Sequence, residues 1–120
     1  MTEEIQFPIE PVVQRFLNYH RKNPEVYRWF RYFALEMIHK GRGRRISPTL
    51  VYERARYEVF LTTPVEENFM MDNTYRPGFI RLFIAEKPHY KFMFETRKSV
   101  FDSFHDYKLE AKLWKKQRTA

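Results

Sequence analysis

Apolar residues recur along most of the chain at intervals of three and four positions, the spacing that places side chains on one face of an α-helix. The first such stretch runs from Pro11 to Lys22, and a second follows Asn23, a residue type that favours the N-cap, and ends at Gly41. Proline in the first helical turn and glycine just past the last turn are typical helix boundaries. The pattern therefore predicts two consecutive helices in the first third of the chain.

Two more helices are predicted in the middle of the chain. The third begins after Ser47, a favourable N-cap, and ends before Pro64. Its apolar positions repeat every four residues: Val51, Ala55 and Val59. The fourth begins near Asp72 or at Pro77 and runs to Lys87. This fourth helix is apolar on both sides, which is typical of a deeply buried helix.

A last helix is predicted over residues 97–117. Its apolar positions follow spacings of four, three, four and three: Val100, Phe104, Tyr107, Ala111 and Trp114. This heptad-like seam is too short for a coiled coil, which needs about three to four heptads. We therefore expect the helix to dock on the body of the domain, with self-association through the same seam as the alternative.

Together these elements predict a mainly α fold, a compact bundle of four to five helices in one domain over residues 1–120, with a flexible N-terminus at 1–10. Residues 65–72 leave room for a short β pair. A strict helix-turn-helix is excluded, because its turn needs about three to four residues. A divergent helix-turn-helix or winged-helix-like body stays compatible with the pattern. The predicted core is Phe30, Phe33, Met37, Val51, Ala55, Phe79, Phe83 and Phe104.

Composition narrows the class of protein. The chain has 120 residues, of which 43% are apolar and 18% aromatic, so it can bury a core and is not a disordered basic tail. It contains no cysteine, which excludes a disulfide scaffold, thiol catalysis and a cysteine-containing zinc site. Neither a signal peptide nor an apolar run of membrane-spanning length occurs, so we expect a cytoplasmic protein with no membrane partner.

Positive charge is concentrated in two segments. The net charge is +7, and residues 41–60 hold five basic against two acidic residues, while residues 97–120 hold seven against three. Such clusters can follow a phosphate backbone. The alternative is a solvated basic face that only aids solubility. The clustering favours nucleic acid as the partner, duplex DNA first.

The most distinctive local string is Gly41-Arg42-Gly43-Arg44-Arg45. Glycine allows the backbone to approach a phosphate, and arginine offers bidentate donors. A helix C-cap followed by a charged loop is the structural alternative, and it is compatible with binding. Asn73 and Arg76 are the residues expected to read base edges, with helix capping as the alternative for Asn73. The full predicted nucleic-acid site is Arg42, Arg44, Arg45, Arg54, Arg56, Asn73, Arg76, Arg81, Lys112, Lys115 and Lys116.

Catalysis has little support in the sequence. No two of the four histidines have the spacing of a metal-binding pair on one helix. Glu110-Ala111-Lys112 matches the end of a nuclease-like string, but it falls in a predicted helix rather than at a strand edge. We expect His20 to be packed and hydrogen-bonded inside the apolar face of the first helix. No metal site, cofactor or enzymatic activity is therefore predicted.

A set of motifs resembles a known group of proteins. The motifs are Asn23-Pro24-Glu25-Val26, Gly41-Arg42, Asn73-Thr74-Tyr75, Arg81, Pro88, Phe94 and Thr96-Arg97. Their order resembles small uncharacterised proteins encoded by bacteriophages and prophages, over residues 23–98. Those proteins more often have a run of asparagines where this chain has Asp72-Asn73-Thr74. The resemblance implies a phage or bacterial context and no mechanism.

Two functions from different classes follow from these observations. The first is a nucleic-acid-binding module that contacts the phosphates of duplex DNA through residues 42–45 and the basic C-terminal helix. The second is a phage-encoded interaction protein that docks on a host or phage protein through its aromatic surface, without catalysis. The sequence leaves the oligomeric state open.

Overall fold

The computed structural model of the protein describes residues 8–67 and 71–119. The α-helices in these ranges are α1 (Pro11–Lys22), α2 (Pro24–Lys40), α3 (Pro48–Thr62), α4 (Arg76–Glu86) and α5 (Tyr107–Thr119). Short 3-10 helices occupy Asn73–Tyr75, Pro88–Met93 and Val100–Ser103. The mainly helical fold predicted from the apolar spacing is therefore confirmed. No helix in the described ranges is long and apolar enough to cross a membrane.

The finer parts of the fold prediction are not confirmed. The expected β pair does not form in the described part of residues 65–72, and residues 68–70 lie outside that part. The described ranges instead contain one isolated bridge, between Ile46 and Phe94. The stretch between α3 and α4 spans 13 residues and includes a 3-10 helix, so these helices do not form a helix-turn-helix.

Two predicted helix starts have the expected position, but only one of them has the expected side-chain N-cap. Ser47 caps α3 as expected, since its hydroxyl accepts from the Leu50 amide at 3.4 Å. Asn23 does not cap α2 with its side chain. Its amide nitrogen instead donates to the Tyr19 carbonyl at 2.9 Å, so it satisfies the end of α1.

The chain reverses direction just after α2. Gly41 ends the helix with right-handed backbone, φ −79°. A Cβ atom at Gly41 would overlap the Met37 carbonyl oxygen, so close approach rather than a left-handed backbone requires the glycine. The left-handed residues are Arg42, with φ 55°, and Gly43, with φ 79°.

The helix α4 lies at the centre of the fold, as its two-sided apolar pattern predicted. Its buried residues are Gly78, Phe79, Ile80, Leu82 and Phe83. The Phe79 ring meets Phe16 of α1 edge-on, with 4.9 Å between ring centroids. The same ring lies 5.9 Å from Phe30 of α2 and 5.9 Å from Tyr52 of α3. One side chain of α4 therefore contacts three other helices.

Most of the predicted core is confirmed. The buried members are Phe30, Phe33, Val51, Ala55, Phe79 and Phe83. Met37 and Phe104 are only partly buried and pack against the outside of the core.

The C-terminal helix begins later than predicted. Residues 97–99 are not helical, and α5 begins at Tyr107. Ser99 and Asp102 form a capping box that starts a separate 3-10 turn. In that turn Phe101 is buried, whereas Val100 is 42% exposed. The first half of the predicted seam is therefore wrong, and its second half is confirmed by three buried residues: Tyr107, Ala111 and Trp114.

The helix α1 contributes one polar side chain to the core. His20 is only 2% exposed, and its ring stacks on Phe16. Its Nδ1 atom has no hydrogen-bond partner among the described residues, so the expected hydrogen bond is not found at that atom. Burial lowers the pKa of His20 to about 4, although the nearby Glu110 carboxylate opposes the shift.

We expect the Gly78→Ala substitution to destabilise the protein, although alanine is intrinsically the better helix former by about 1 kcal/mol. A Cβ atom at Gly78 would lie 2.7 Å from three carbons of the Phe16 ring. Overpacking of this kind costs about 1–3 kcal/mol, measurable by urea unfolding. Adding Phe16→Leu should recover part of the loss, and two additive changes would show that the ring contact is not the cause.

We also expect the protein to become less stable as the pH falls, because His20 is buried. The unfolded chain takes up a proton near pH 6.5, whereas the folded protein does so only near pH 4. The free energy of unfolding should therefore drop by up to about 3 kcal/mol as pH falls across that window, and His20 should contribute nothing to the slope above it. In the His20→Phe variant this part of the pH dependence should disappear from urea unfolding curves. An identical slope in both proteins would contradict the assignment.

Candidate nucleic-acid interface

A cleft of about 520 Å³ opens where three segments meet. These segments are the start of α3, the start of α4 and residues 95–99. The apolar lining residues are Pro48, Pro77 and Ile80. The polar lining residues are Ser47, Thr49, Arg76, Arg81, Glu95, Thr96, Arg97, Lys98 and Ser99. We call this feature the basic cleft, because four of its lining side chains are cations and one is an anion.

The bridge between Ile46 and Phe94 holds two walls of the cleft together. Ile46 directly precedes Ser47, and its backbone amide donates to the Met93 carbonyl at 2.8 Å. Both bridge residues are buried, and the Phe94 ring packs against Phe83 of α4 at 5.5 Å. The start of α3 and residues 95–99 are therefore tied to each other and to the core.

Arg81 joins the third wall, the start of α4, to residues 95–99. Its guanidinium donates to the Pro77 carbonyl at 3.0 Å, to the Arg97 carbonyl at 2.7 Å and to the Asp102 carboxylate at 2.7 Å. The side chain is 11% exposed. Hydrogen bonding from Arg81 lowers the pKa of Asp102 below its ordinary value. Arg81 was predicted to face the DNA groove or the phosphates, but its donors bind protein oxygens, so its observed role is to hold residues 95–99 in place.

The remaining cations of the cleft have no such partners. Arg76, Arg97 and Lys98 form no ion pair within the described part of the chain. Arg76 was among the predicted site residues, whereas Arg97 and Lys98 were not, although both fall in the basic helix predicted over residues 97–117. The available signal was Ser99, a residue type that favours an N-cap and so an extended segment before it.

The predicted arginine loop adjoins the cleft along the chain. Arg42, Arg44 and Arg45 are exposed and form no ion pair with any described residue. Arg45 directly precedes Ile46 of the bridge, and Ser47 lines the cleft. We call these loop and cleft cations together the basic face: Arg42, Arg44, Arg45, Arg76, Arg97 and Lys98.

Two predicted site residues are bonded to each other. The Asn73 amide oxygen accepts a hydrogen bond from Arg56. Arg56 also lies over the Tyr52 ring at 5.4 Å and 3.6 Å from the Glu53 carboxylate. Asn73 was predicted to read a base edge, but its oxygen is engaged within the protein, and this contact links α3 to the segment before α4.

One of the predicted lysines of α5, Lys115, lies near the end of α4. Glu86, buried at the end of α4, lies 2.7 Å from Arg31 and 3.9 Å from the Lys115 ammonium. It also accepts from the Tyr27 hydroxyl at 3.2 Å. Arg76 begins α4, and ten residues of helix rise by about 15 Å. Lys115 therefore lies toward the opposite end of α4 from Arg76 and the basic cleft.

Arg54 belongs to a third surface, formed by α2 and α3. Its guanidinium lies 4.1 Å from the Phe33 ring centroid and 5.6 Å from that of Tyr57, and it pairs with Glu58 at 2.7 Å. The Tyr32 ring packs edge-on against Phe33 and against Trp29. Tyr32 and Tyr57 are 55% and 56% exposed. We call this surface the aromatic patch: Trp29, Tyr32, Arg54 and Tyr57.

Residues 8–67 and 71–119 contain no group of three side chains that could hold a metal ion. Comparison with known proteins found no match to any protein-family model, curated protein or solved structure. The resemblance to phage proteins therefore stays an expectation. Three of the residues that form it, Arg81, Thr96 and Arg97, line the basic cleft.

Proposed function

We propose that the protein binds nucleic acid, duplex DNA first, through phosphate contacts made by the basic face. The observation that supports this proposal is the absence of ion pairs, among the described residues, for the six cations of that face. Like charges on one face repel each other and raise the local positive potential. A polyanion relieves that repulsion and releases its own counterions on binding.

The contacts on the basic face suit phosphate binding more than base reading. Arginine forms paired hydrogen bonds with phosphate oxygens, and the loop arginines are exposed on a turn with left-handed backbone at Arg42. Of the two residues expected to read base edges, Asn73 is bonded to Arg56, which leaves Arg76 for that role. We therefore expect affinity that depends strongly on salt and weakly on DNA sequence.

We expect the triple variant Arg42→Ala, Arg44→Ala, Arg45→Ala to bind duplex DNA with a shallower salt dependence. If each arginine neutralises one phosphate, the slope of log K against log salt should decrease by about 0.9 per contact, hence by about 2.7. Folding should persist, because these side chains are exposed. A salt titration by fluorescence anisotropy measures the slope.

A matched variant controls for the loss of total charge. Lys108→Ala, Lys112→Ala, Lys116→Ala removes the same charge from exposed positions of α5. Its slope should change much less than that of the loop variant. Equal changes in both variants would show that net charge, and not the basic face, determines binding.

The aromatic patch favours protein docking as a second candidate function. Tyrosine, tryptophan and arginine are the residue types that contribute most binding energy at protein interfaces. Here all three occur on one surface, and both tyrosines are more than half exposed. A protein partner would cover these rings and desolvate Arg54.

If the second function holds, the double variant Tyr32→Ser, Tyr57→Ser should lose a stoichiometric partner recovered from a bacterial lysate at high salt. Phe92→Ser is the control, because Phe92 is 87% exposed but lies outside the patch. Binding to duplex DNA should be unchanged in both variants. A partner that both variants retain would exclude the aromatic patch as its docking site.

A further inference from the structure

The basic cleft differs from the arginine loop in shape. Its volume of about 520 Å³ lies within the range of small-ligand pockets, about 300–1,000 Å³. An internal phosphate of a strand is linked to a nucleotide on each side. It can therefore reach the rim of a concave site, but its two neighbours keep it from the bottom of that site. A phosphate at a strand end, or on a free nucleotide, is linked on one side only and can enter.

The charge of the cleft matches such a terminal group. Arg76, Arg97 and Lys98 oppose the single carboxylate of Glu95, while Arg81 is paired with Asp102. A phosphate ester linked on one side carries about −1.5 to −2 charge at neutral pH, whereas each internal phosphate carries one negative charge. The three cations and one carboxylate leave the cleft with a net charge that a phosphate dianion would neutralise.

Side chains, rather than backbone amides, supply most of the donors in this site. Pro48 and Pro77 lie in the first turns of α3 and α4 and have no N–H group. The guanidinium groups of Arg76 and Arg97 and the Lys98 ammonium are the charged donors that line the cleft. Ile80 and the two prolines add an apolar surface on which a sugar or base can pack.

The backbone that carries these donors is fixed before any ligand binds. Arg81 hydrogen-bonds to the carbonyls of Pro77 and Arg97, one on each side of the cleft. The Ser99 amide donates to the Asp102 carboxylate at 2.9 Å, and Asp102 is bound to Arg81. Holding residues 95–99 in this way lowers the entropy that a ligand must remove on binding.

From this combination of shape, charge and fixed backbone, we infer that the basic cleft binds a phosphomonoester, at the end of a nucleic-acid strand or on a free nucleotide. The inference rests on the proposed nucleic-acid binding and deepens it. The arginine loop contacts internal phosphates along the duplex, and the cleft receives the terminal one.

The test compares DNA hairpins of one sequence that differ only at the open end. One hairpin has a 5′-phosphate, one a 3′-phosphate and one only hydroxyl groups, and anisotropy measures their affinities at one salt concentration. We expect about tenfold tighter binding to a phosphorylated end, the size of one charge-assisted hydrogen bond. Arg97→Ala and Lys98→Ala should each reduce this preference. Arg42→Ala, the control outside the cleft, should weaken all three hairpins equally.

A second arm separates the two sources of the phosphate. Adenosine monophosphate should displace the phosphorylated hairpin, while adenosine should not. If adenosine monophosphate binds more tightly than adenosine but the three hairpins bind equally, the inferred ligand is a free nucleotide rather than a strand end. Equal binding of all three hairpins, together with no effect of the nucleotide, would overturn the inference.

A separate result tests the proposed function. Salt-dependent duplex binding that requires the arginine loop, without any end preference, would leave the proposed function in place and remove only the inference. Nucleotide binding that requires Arg97, without duplex binding, would remove the proposed function and retain the phosphomonoester site. Circular dichroism and urea unfolding of each variant confirm that the protein tested is folded.

Discussion

The packing of Phe79 at the centre of the domain is the constraint on which the other features depend. Its ring contacts Phe16, Phe30 and Tyr52, which belong to three different helices. Gly78 precedes it and leaves the space that the Phe16 ring occupies. Because α1, α2 and α3 all pack around this part of α4, the start of α4 has a defined position. That position brings Arg76 and Pro77 to the start of α3 and forms two walls of the basic cleft.

Charged side chains in this protein have two distinct roles. Some hold the fold together: Arg31 binds the buried Glu86, and Arg21 binds the buried Glu110. Removing one partner of such a pair leaves a buried charge, so these contacts constrain the structure even where their net stabilisation is small. Cations without such partners among the described residues remain available to a ligand. Three cations of the basic face, Arg76, Arg97 and Lys98, line a concave site.

Arg81 connects these two roles. It is a structural arginine by its bonds, because its guanidinium binds Asp102 and two carbonyls. One of those carbonyls belongs to Arg97, so the bond fixes the backbone that presents Arg97 and Lys98 to the cleft. A residue predicted to contact nucleic acid thus acts as a positioning residue for its neighbours. Local sequence could not reveal this, because an arginine in a helix has the same pattern in both roles.

Features that arise from local interactions were predictable from the sequence. Helices α1 to α3 and the burial of α4 follow from apolar spacing and from proline, serine and glycine at helix ends, where backbone geometry acts within a few residues. Most of the core was predictable for the same reason. The start of α5 was not, because Phe101 is drawn into the core by tertiary packing and Ser99 begins a separate turn with Asp102.

Which cations are available to a ligand depends on contacts between segments that are distant in the chain. The pairs Arg21 with Glu110, Arg31 with Glu86 and Arg81 with Asp102 are separated by 89, 55 and 21 residues. Spacing along the chain carries no information about such partners, since ion pairing depends on distance in space. For the same reason the sequence did not show that residues 95–99 lie next to the start of α3, where the bridge between Ile46 and Phe94 holds them.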